Sequence, residues 1–425
     1  MNPSGTPYWW TTAPALAVPE APLPARTDVA IVGGGYTGLA AAREIAIRGG
    51  RVCLLEAETV GWGASSRNGG QVLTGLPIDA GTLIHRYGRQ AARAWFAWAL
   101  EAIDALERLI ADEAIDCEFV RCGHIEAAAK PSHFDAARHE RDLLAREFGH
   151  EVRILPPADA ALELGSEGYC GLVVDDRSAR LHPARYVRGL ARAAVRAGAG
   201  LHERTRVRRI EPDGAALRVE TDRGVLRAAE VIVATNGYTG PAVPDLRRRL
   251  VAIGSYMIAT APIPADVALR LIPRRRVVYD SWNLLHYFHL APDGRLLFGG
   301  RATFATPSPR ALRRSAARLH ADLVRIFPAL AGVPVESAWG GQVGIARDRL
   351  PHAGRLGRWH YAAGYAGQGI APATALGRAL ARRLMGEAPE DPPFTLPCPA
   401  IPLYRGRPWF LPAVGAWYGL RDRLS

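Results

Sequence analysis

Three glycines at fixed spacing, Gly33, Gly35 and Gly38 in Gly33-Gly34-Gly35-Tyr36-Thr37-Gly38, are the first residues in this chain whose pattern implies chemistry. Gly33 permits a tight turn, Gly35 lets the backbone approach a pyrophosphate, and Gly38 lets a helix lie close on a strand. The G-x-G-x-x-G pattern follows an apolar run, Val29 to Val32, and opens a segment rich in Ala and Leu. With Tyr36 and Thr37 in its first turn, that helix presents unpaired N–H groups and the positive end of its dipole to phosphate oxygens. Glu56 lies 21 positions past Gly35, at the end of a second apolar run, Arg51 to Leu55. A carboxylate there accepts hydrogen bonds from a ribose 2′-hydroxyl and repels a 2′-phosphate.

A second cluster follows directly. Gly61-Trp-Gly-Ala-Ser-Ser-Arg-Asn-Gly-Gly-Gln71 surrounds Arg67 and Asn68 with small residues, among them Ser65, Ser66 and Gly69. Such a backbone passes close to a ligand while offering N–H groups and one cation, which suits a second pyrophosphate contact and the approach to a flavin. The third cluster is Gly367-Gln368-Gly369-Ile370 near the C-terminus. The first fingerprint alone serves NAD or FAD equally, but a simple NAD domain does not need this returning segment. A helix starting there directs amides at the pyrimidine edge of a flavin, where negative charge develops on reduction. FAD is the expected cofactor.

The elements that must position these clusters spell an α/β fold: a Rossmann-type FAD-binding domain with a second, mixed or antiparallel-sheet substrate domain. The FAD-binding domain is expected to be discontinuous, over 27–90, 160–250 and 340–387. Residues 91–159 and 251–339 form the substrate domain, and 1–26 and 388–425 are packed terminal arms. One or two helices are expected over 80–113, another near 133–148 with Ser132 as its cap, and one from about Ile370 to Met385. From Val251 to Trp339 alternating, aromatic-rich runs predict strands, with Asp293-Gly294 as a hairpin turn. Tyr8-Trp9-Trp10 in the first arm is expected to dock on apolar surface.

Composition bounds the partners. The formal charge is +12, yet Lys130 is the only lysine among 53 basic residues. That skew, without aromatic interleaving, argues against a nucleic-acid surface. No run of eighteen apolar residues predicts a membrane span, so a soluble, cytoplasmic protein is expected. Cys53, Cys117, Cys122, Cys170 and Cys398 have no metal spacing, and their odd number fits a reducing compartment.

These clusters, with Ala234-Thr-Asn-Gly237, Leu297-Phe-Gly-Gly-Arg301 and Arg347-Asp-Arg-Leu-Pro351, resemble the D-amino-acid oxidase superfamily of FAD-dependent oxidoreductases. The G-A-S-x-R-N-G-G-Q block resembles its gamma-glutamylputrescine oxidoreductase branch. The resemblance implies hydride removal from the carbon bearing an amine, giving an imine that water hydrolyses, with oxygen or another acceptor reoxidising the flavin. It implies that Gly33, Gly35, Gly38 and Glu56 hold the ADP half of FAD, with Val207 on the adenine side. Ser65 to Gly69 would then approach the pyrophosphate and isoalloxazine, and Gly367 to Gly369 the pyrimidine edge. No residue matches a family attachment position, so noncovalent FAD is expected. A gamma-glutamylated polyamine is one substrate implied; a small carboxylated amine of the sarcosine or glycine type is the alternative, and a non-catalytic or tRNA-modifying flavoprotein would need a basic stripe.

Candidates for the substrate side are Tyr256, Trp282, Tyr287 and Trp339, aromatic residues of the expected roofing sheet that equally suit its core. His289 is a candidate base or polar anchor, against a structural histidine; His286 has the same choice. Arg301 ends a substrate-domain strand, where it either binds a substrate carboxylate or pairs with a protein acid.

Overall fold

The structure, a computed structural model, describes residues 5–300, 308–387, 398–406 and 408–424. Strand Arg26–Val32 is buried along almost its whole length, as a strand covered on both faces requires. It pairs in parallel with Val52–Leu55 on one side and Gly224–Val233 on the other. Gly200–His202 extends one edge, and Trp359–Ala363 followed by His352–Leu356 the other. Val207–Asp213 and Ala216–Thr221 add an antiparallel hairpin to Gly224–Val233. Helices Tyr36–Ala46, Arg89–Asp112, Pro183–Arg196 and Ile370–Leu384 share the apolar core against this sheet. Where Tyr36–Ala46 and Ile370–Leu384 meet, Gly377 lies directly on the Thr37 carbonyl, so the two helices that follow the glycine clusters pack backbone to backbone.

The second sheet is mixed. Its order is Val335–Ala346, Leu250–Thr260, Leu296–Gly300, His286–Leu290, Val277–Asp280, His124–Ala127, Leu172–Asp175, Arg153–Leu155. The pair Val277–Asp280 and His124–Ala127 is parallel and the others antiparallel. Helix Pro309–Ile326 packs on the face turned away from the first domain.

The expected boundaries shift in three places. Leu172–Asp175 joins the second sheet, so the nucleotide domain resumes near Pro183 and not at 160. Helix Arg89–Asp112 packs in the nucleotide core, so 91–112 leaves the substrate domain. The cut at 340 falls inside Val335–Ala346, a single long strand. At Gly340 and Gly341 in that strand, the Tyr256 ring and the Arg67 side chain occupy the spaces side chains would need. Helix Pro131–Phe148 starts behind Lys130 with Pro131 in its first turn, and Ser132 is not its cap. Both terminal stretches carry helices, Tyr8–Thr11 and Leu411–Leu424.

The connection 281–285 is pinned on two sides. Asp422 of the last helix accepts hydrogen bonds from the Asn283 and Leu284 N–H groups. His286 contacts Asp280 through Nδ1 (2.8 Å) and Asp322 through Nε2 (3.2 Å). Burial works against protonation of His286, but the two carboxylates outweigh it and lift its pKa to about 9. Because the folded value is raised, the charged ring stabilises the protein fully below its unfolded value of about 6.5, and the contribution fades as pH climbs through about 9. His286→Gln is expected to flatten the stability profile between about pH 6 and 10, costing up to roughly 3 kcal/mol at the acid end. Denaturant titration across that range checks it, and an unchanged slope contradicts the assignment.

Candidate active site

A cavity of about 1190 Å³ runs past the carboxyl ends of the parallel strands and on beneath the second sheet. Ligands of doubly wound sheets bind at that edge, and the volume exceeds the roughly 300–1000 Å³ of an ordinary pocket. All three glycine-rich clusters line it. They are bonded to one another: the Tyr36 N–H donates to Ser65 Oγ (3.1 Å), Asn68 Nδ2 donates to the Tyr36 hydroxyl (3.3 Å), and the Thr37 and Tyr365 hydroxyls lie 2.7 Å apart.

The turn is shaped for close approach. Gly33 has φ +112°, and a side chain there would meet the Ala234 carbonyl at 2.8 Å. At Gly35 it would meet Ser65 Oγ, also at 2.8 Å, on the path a pyrophosphate would take. Glu56 accepts from the Gly34 N–H (2.6 Å) and the Glu58 N–H (2.9 Å), which fixes its carboxylate at the mouth of the turn. Burial raises its pKa while those N–H groups hold it down. Val207 lines the same end of the cavity, and Gly367, Gln368, Gly369 and Ile370 line it at the helix start. Asn236 Oδ1 accepts from the Gly364 N–H (2.9 Å), tying the end of the central strand to that returning segment. Gln368 Oε1 is buried without a hydrogen-bond partner among the described residues. A cradle that a side chain would fill, an acid placed for a ribose and an orphaned amide oxygen at the far end together fit FAD.

The Ser-Arg-Asn loop is held from behind, and by groups the sequence suggested for other work. Three successive carbonyls each receive a ring N–H: Arg67 from Trp339 Nε1 (3.0 Å), Asn68 from Trp9 Nε1 (2.8 Å) and Gly69 from His289 Nε2 (2.9 Å). Burial, with Arg180 adding to it, lowers the His289 pKa to about 4, so the ring is neutral and its shorter contact places the proton on Nε2. Trp339 and His289 are buried outside the cavity lining, and they are positioning residues in place of the expected substrate contacts. Tyr256 lies in the core on the opposite face with Ile258 and Phe298, because the period-2 alternation turns Ser255 to the cavity and Met257 into the cluster with Trp9 and Trp339 instead. Trp282 stands beside Lys130 and His133, outside the lining. Ser66 Oγ accepts from Trp10 Nε1 and donates to the Gly61 carbonyl, so it too serves the clasp. Arg67 borders the cavity, but its guanidinium lies between the Trp10 and Trp62 rings (4.8 Å to each) and donates to the Trp62 and Gly340 carbonyls. Arg301 lies outside the described residues.

Tyr287 does face the cavity. Its ring fills the space above Gly69 and Gly299, and its hydroxyl is 3.1 Å from Ser255 Oγ. Ser255 escaped the sequence reading; only its place one residue from Tyr256 in an alternating strand could have marked it. The N-terminal clasp had no sequence signal beyond its aromatic content. Trp9→Ala removes a donor and a fully buried indole, and is expected to raise the Kd for FAD at least about tenfold, read by fluorescence titration. An unchanged Kd would show that the arm is mere covering.

A parallel sheet with a glycine turn, a ribose acid and a returning Gly-Gln-Gly helix start around one elongated chamber, roofed by a mixed sheet, defines a flavin-dinucleotide oxidoreductase of two domains. The family model described as FAD dependent oxidoreductase matches residues 28–383, and the chain belongs to that family. It is 33% identical over 442 residues to the probable oxidoreductase OrdL of Rhizobium meliloti (strain 1021), spanning 100% of this chain and 99% of that protein. It is also 33% identical over 403 residues to the gamma-glutamylputrescine oxidoreductase of Escherichia coli (strain K12), spanning 94% and 93%. The fold is similar to that of glycine oxidase from Geobacillus kaustophilus, with a TM-score of 0.71 at 24% identity over 86% of this chain and 96% of that one. The protein is an FAD-dependent oxidoreductase. Among the described residues no helix is long and apolar enough to cross a membrane, and no group of three or more His, Cys, Asp or Glu residues could hold a metal.

Proposed function

We propose that the oxidation of an amine or amino-acid C–N bond, the general activity of this family, is directed here at an amine with a long polar tail, of the gamma-glutamylated polyamine class. One observation carries the reading: the cavity continues past all three FAD-binding clusters and beneath the second sheet, leaving room for far more than a glycine-sized substrate. The likeness to gamma-glutamylputrescine oxidoreductase over 93% of that protein supports it.

FAD, when bound, supplies the hydride acceptor. The chain's own residues do the rest. Gly33, Gly35 and Glu56 hold the ADP half, while Gly367, Gln368 and the start of helix Ile370–Leu384 set amide dipoles toward the pyrimidine edge. Tyr287 and Ser255 bound the space where the amine sits, and the clasped loop below them keeps water out. The imine that leaves is hydrolysed by water, and oxygen or another acceptor takes the electrons. The cysteines, all of them free and outside the cavity lining, speak against attachment through a thiol. The same unpaired thiols suit a cytoplasmic setting.

Acid precipitation is expected to release the flavin into the supernatant, and kcat/KM for a gamma-glutamylated diamine to exceed that for glycine or sarcosine at least about a hundredfold. A flavin that stays with the pellet overturns the attachment, and a preference for glycine or sarcosine overturns the substrate class.

A further inference from the structure

We propose that Glu126 anchors a second ammonium group of the substrate, carried about 10 Å from the oxidised carbon; this rests on the amine reading given above. The distance comes from the sheet. Paired residues Met257, Gly299, Tyr287, Tyr279, Glu126 and Val173 form one row across successive strands. Tyr287 sits over Gly69 at the flavin end, and Glu126 is two strand spacings further along, at roughly 4.8 Å each. An extended chain lying along the row passes Tyr287 and Tyr279 and ends at that carboxylate.

Glu126 lacks the arginine partners that hold two other internal acids, Glu44 and Glu163. Glu44 is held by Arg48, Arg378 and Arg382, and Glu163 by Arg153 and Arg276. Glu126 has the Tyr279 hydroxyl as a donor at 3.3 Å and no cation within ion-pair distance among the described residues, in a chain with 53 basic residues. Burial raises its pKa, as does Glu140, which lines the same chamber and, among the described residues, accepts from the Ala80 N–H alone. A carboxylate turned into a cavity without a cation beside it is stabilised by an incoming one.

A second observation points the same way. The ring of His150, 2% exposed, lines this chamber with Nδ1 unpartnered among the described residues, while Nε2 lies 2.6 Å from Asp175 Oδ2. In the neutral ring with Nε2–H donating to Asp175, Nδ1 is a lone-pair acceptor that an ammonium N–H would satisfy.

The ammonium can belong to a polyamine or to the aminoacyl end of a gamma-glutamylated amine, so the test carries both. kcat/KM is measured on the FAD-loaded full chain for a long diamine, a gamma-glutamylated diamine and an n-alkylamine of equal length, before and after Glu126→Gln. The diammonium substrate is expected to lose about 30-fold or more through KM with kcat kept, and the alkylamine to change less than about threefold. The substrate whose KM rises identifies the source of the ammonium. Equal losses on all three, or no loss on any, overturns the anchor while flavin reduction by the alkylamine still upholds the amine reading. If no amine reduces the flavin of the unaltered chain, both fall. Should Glu126→Gln not retain FAD, the unaltered chain decides: a preference of at least about tenfold for a diammonium substrate over the alkylamine, shrinking with added salt, is required.

Discussion

Gly38→Ala is expected to give a chain that purifies without flavin and takes up none when FAD is added. The added methyl would run into the Gly33 carbonyl oxygen and press on the Ile31 side chain. Neither can withdraw: Ile31 is fully buried, and Gly33 already holds a left-handed φ with its N–H bonded to the Leu55 carbonyl. The helix must therefore lift from the strand and carry the N–H groups of Tyr36 and Thr37 away from the pyrophosphate position. A loss of FAD affinity of at least about a hundredfold follows, near 3 kcal/mol. Gly332→Ala is the control, since a methyl there meets nothing within 4 Å, and it should keep its colour. Fluorescence titration of both variants, with circular dichroism to confirm folding, decides. A yellow Gly38→Ala protein would mean that the first cluster does not hold the cofactor.

Tyr287→Ala is the second large effect, and it should separate chemistry from cofactor binding. The ring occupies the volume left by Gly69 below and Gly299 beside it, so truncation opens a hole where the reacting amine must be fixed. A reacting carbon displaced by an ångström costs about a hundredfold, and kcat/KM is expected to fall by that much with FAD retained. Tyr287→Phe keeps the ring and loses the contact with Ser255 Oγ, so it should stay within about threefold. Equal losses in the two variants would shift the role from the ring to the hydroxyl.

How far the sequence could be read depended on whether a signal was local. The turn at Gly33, the acid at Glu56 and the helix start at Gly369 are each written within a few residues, since backbone conformation and dipole direction are set locally, and all three line the cavity. Partnership across the sheet is not local. The alternation around Ser255, Tyr256 and Met257 marked a strand but not which face met the ligand, so Tyr256 was proposed for the cavity and its neighbour Ser255 passed over. His289 and Trp339 stand out in the sequence as a polar and a large residue of a strand. The carbonyls of Gly69 and Arg67 that they serve are more than two hundred residues away. Glu126 is hidden in the same way: within His124–Ala127 it is an ordinary alternating residue, and its place in the cavity with no arginine beside it among the described residues is seen only in the fold.

Addition of an amine to the FAD-loaded protein without oxygen tests the central claim most directly, that the three clusters hold one flavin against an amine carbon. The visible flavin band should disappear, with one carbonyl product and one released amine formed for each FAD reduced. A protein that binds FAD yet keeps its band with every amine offered would contradict the account.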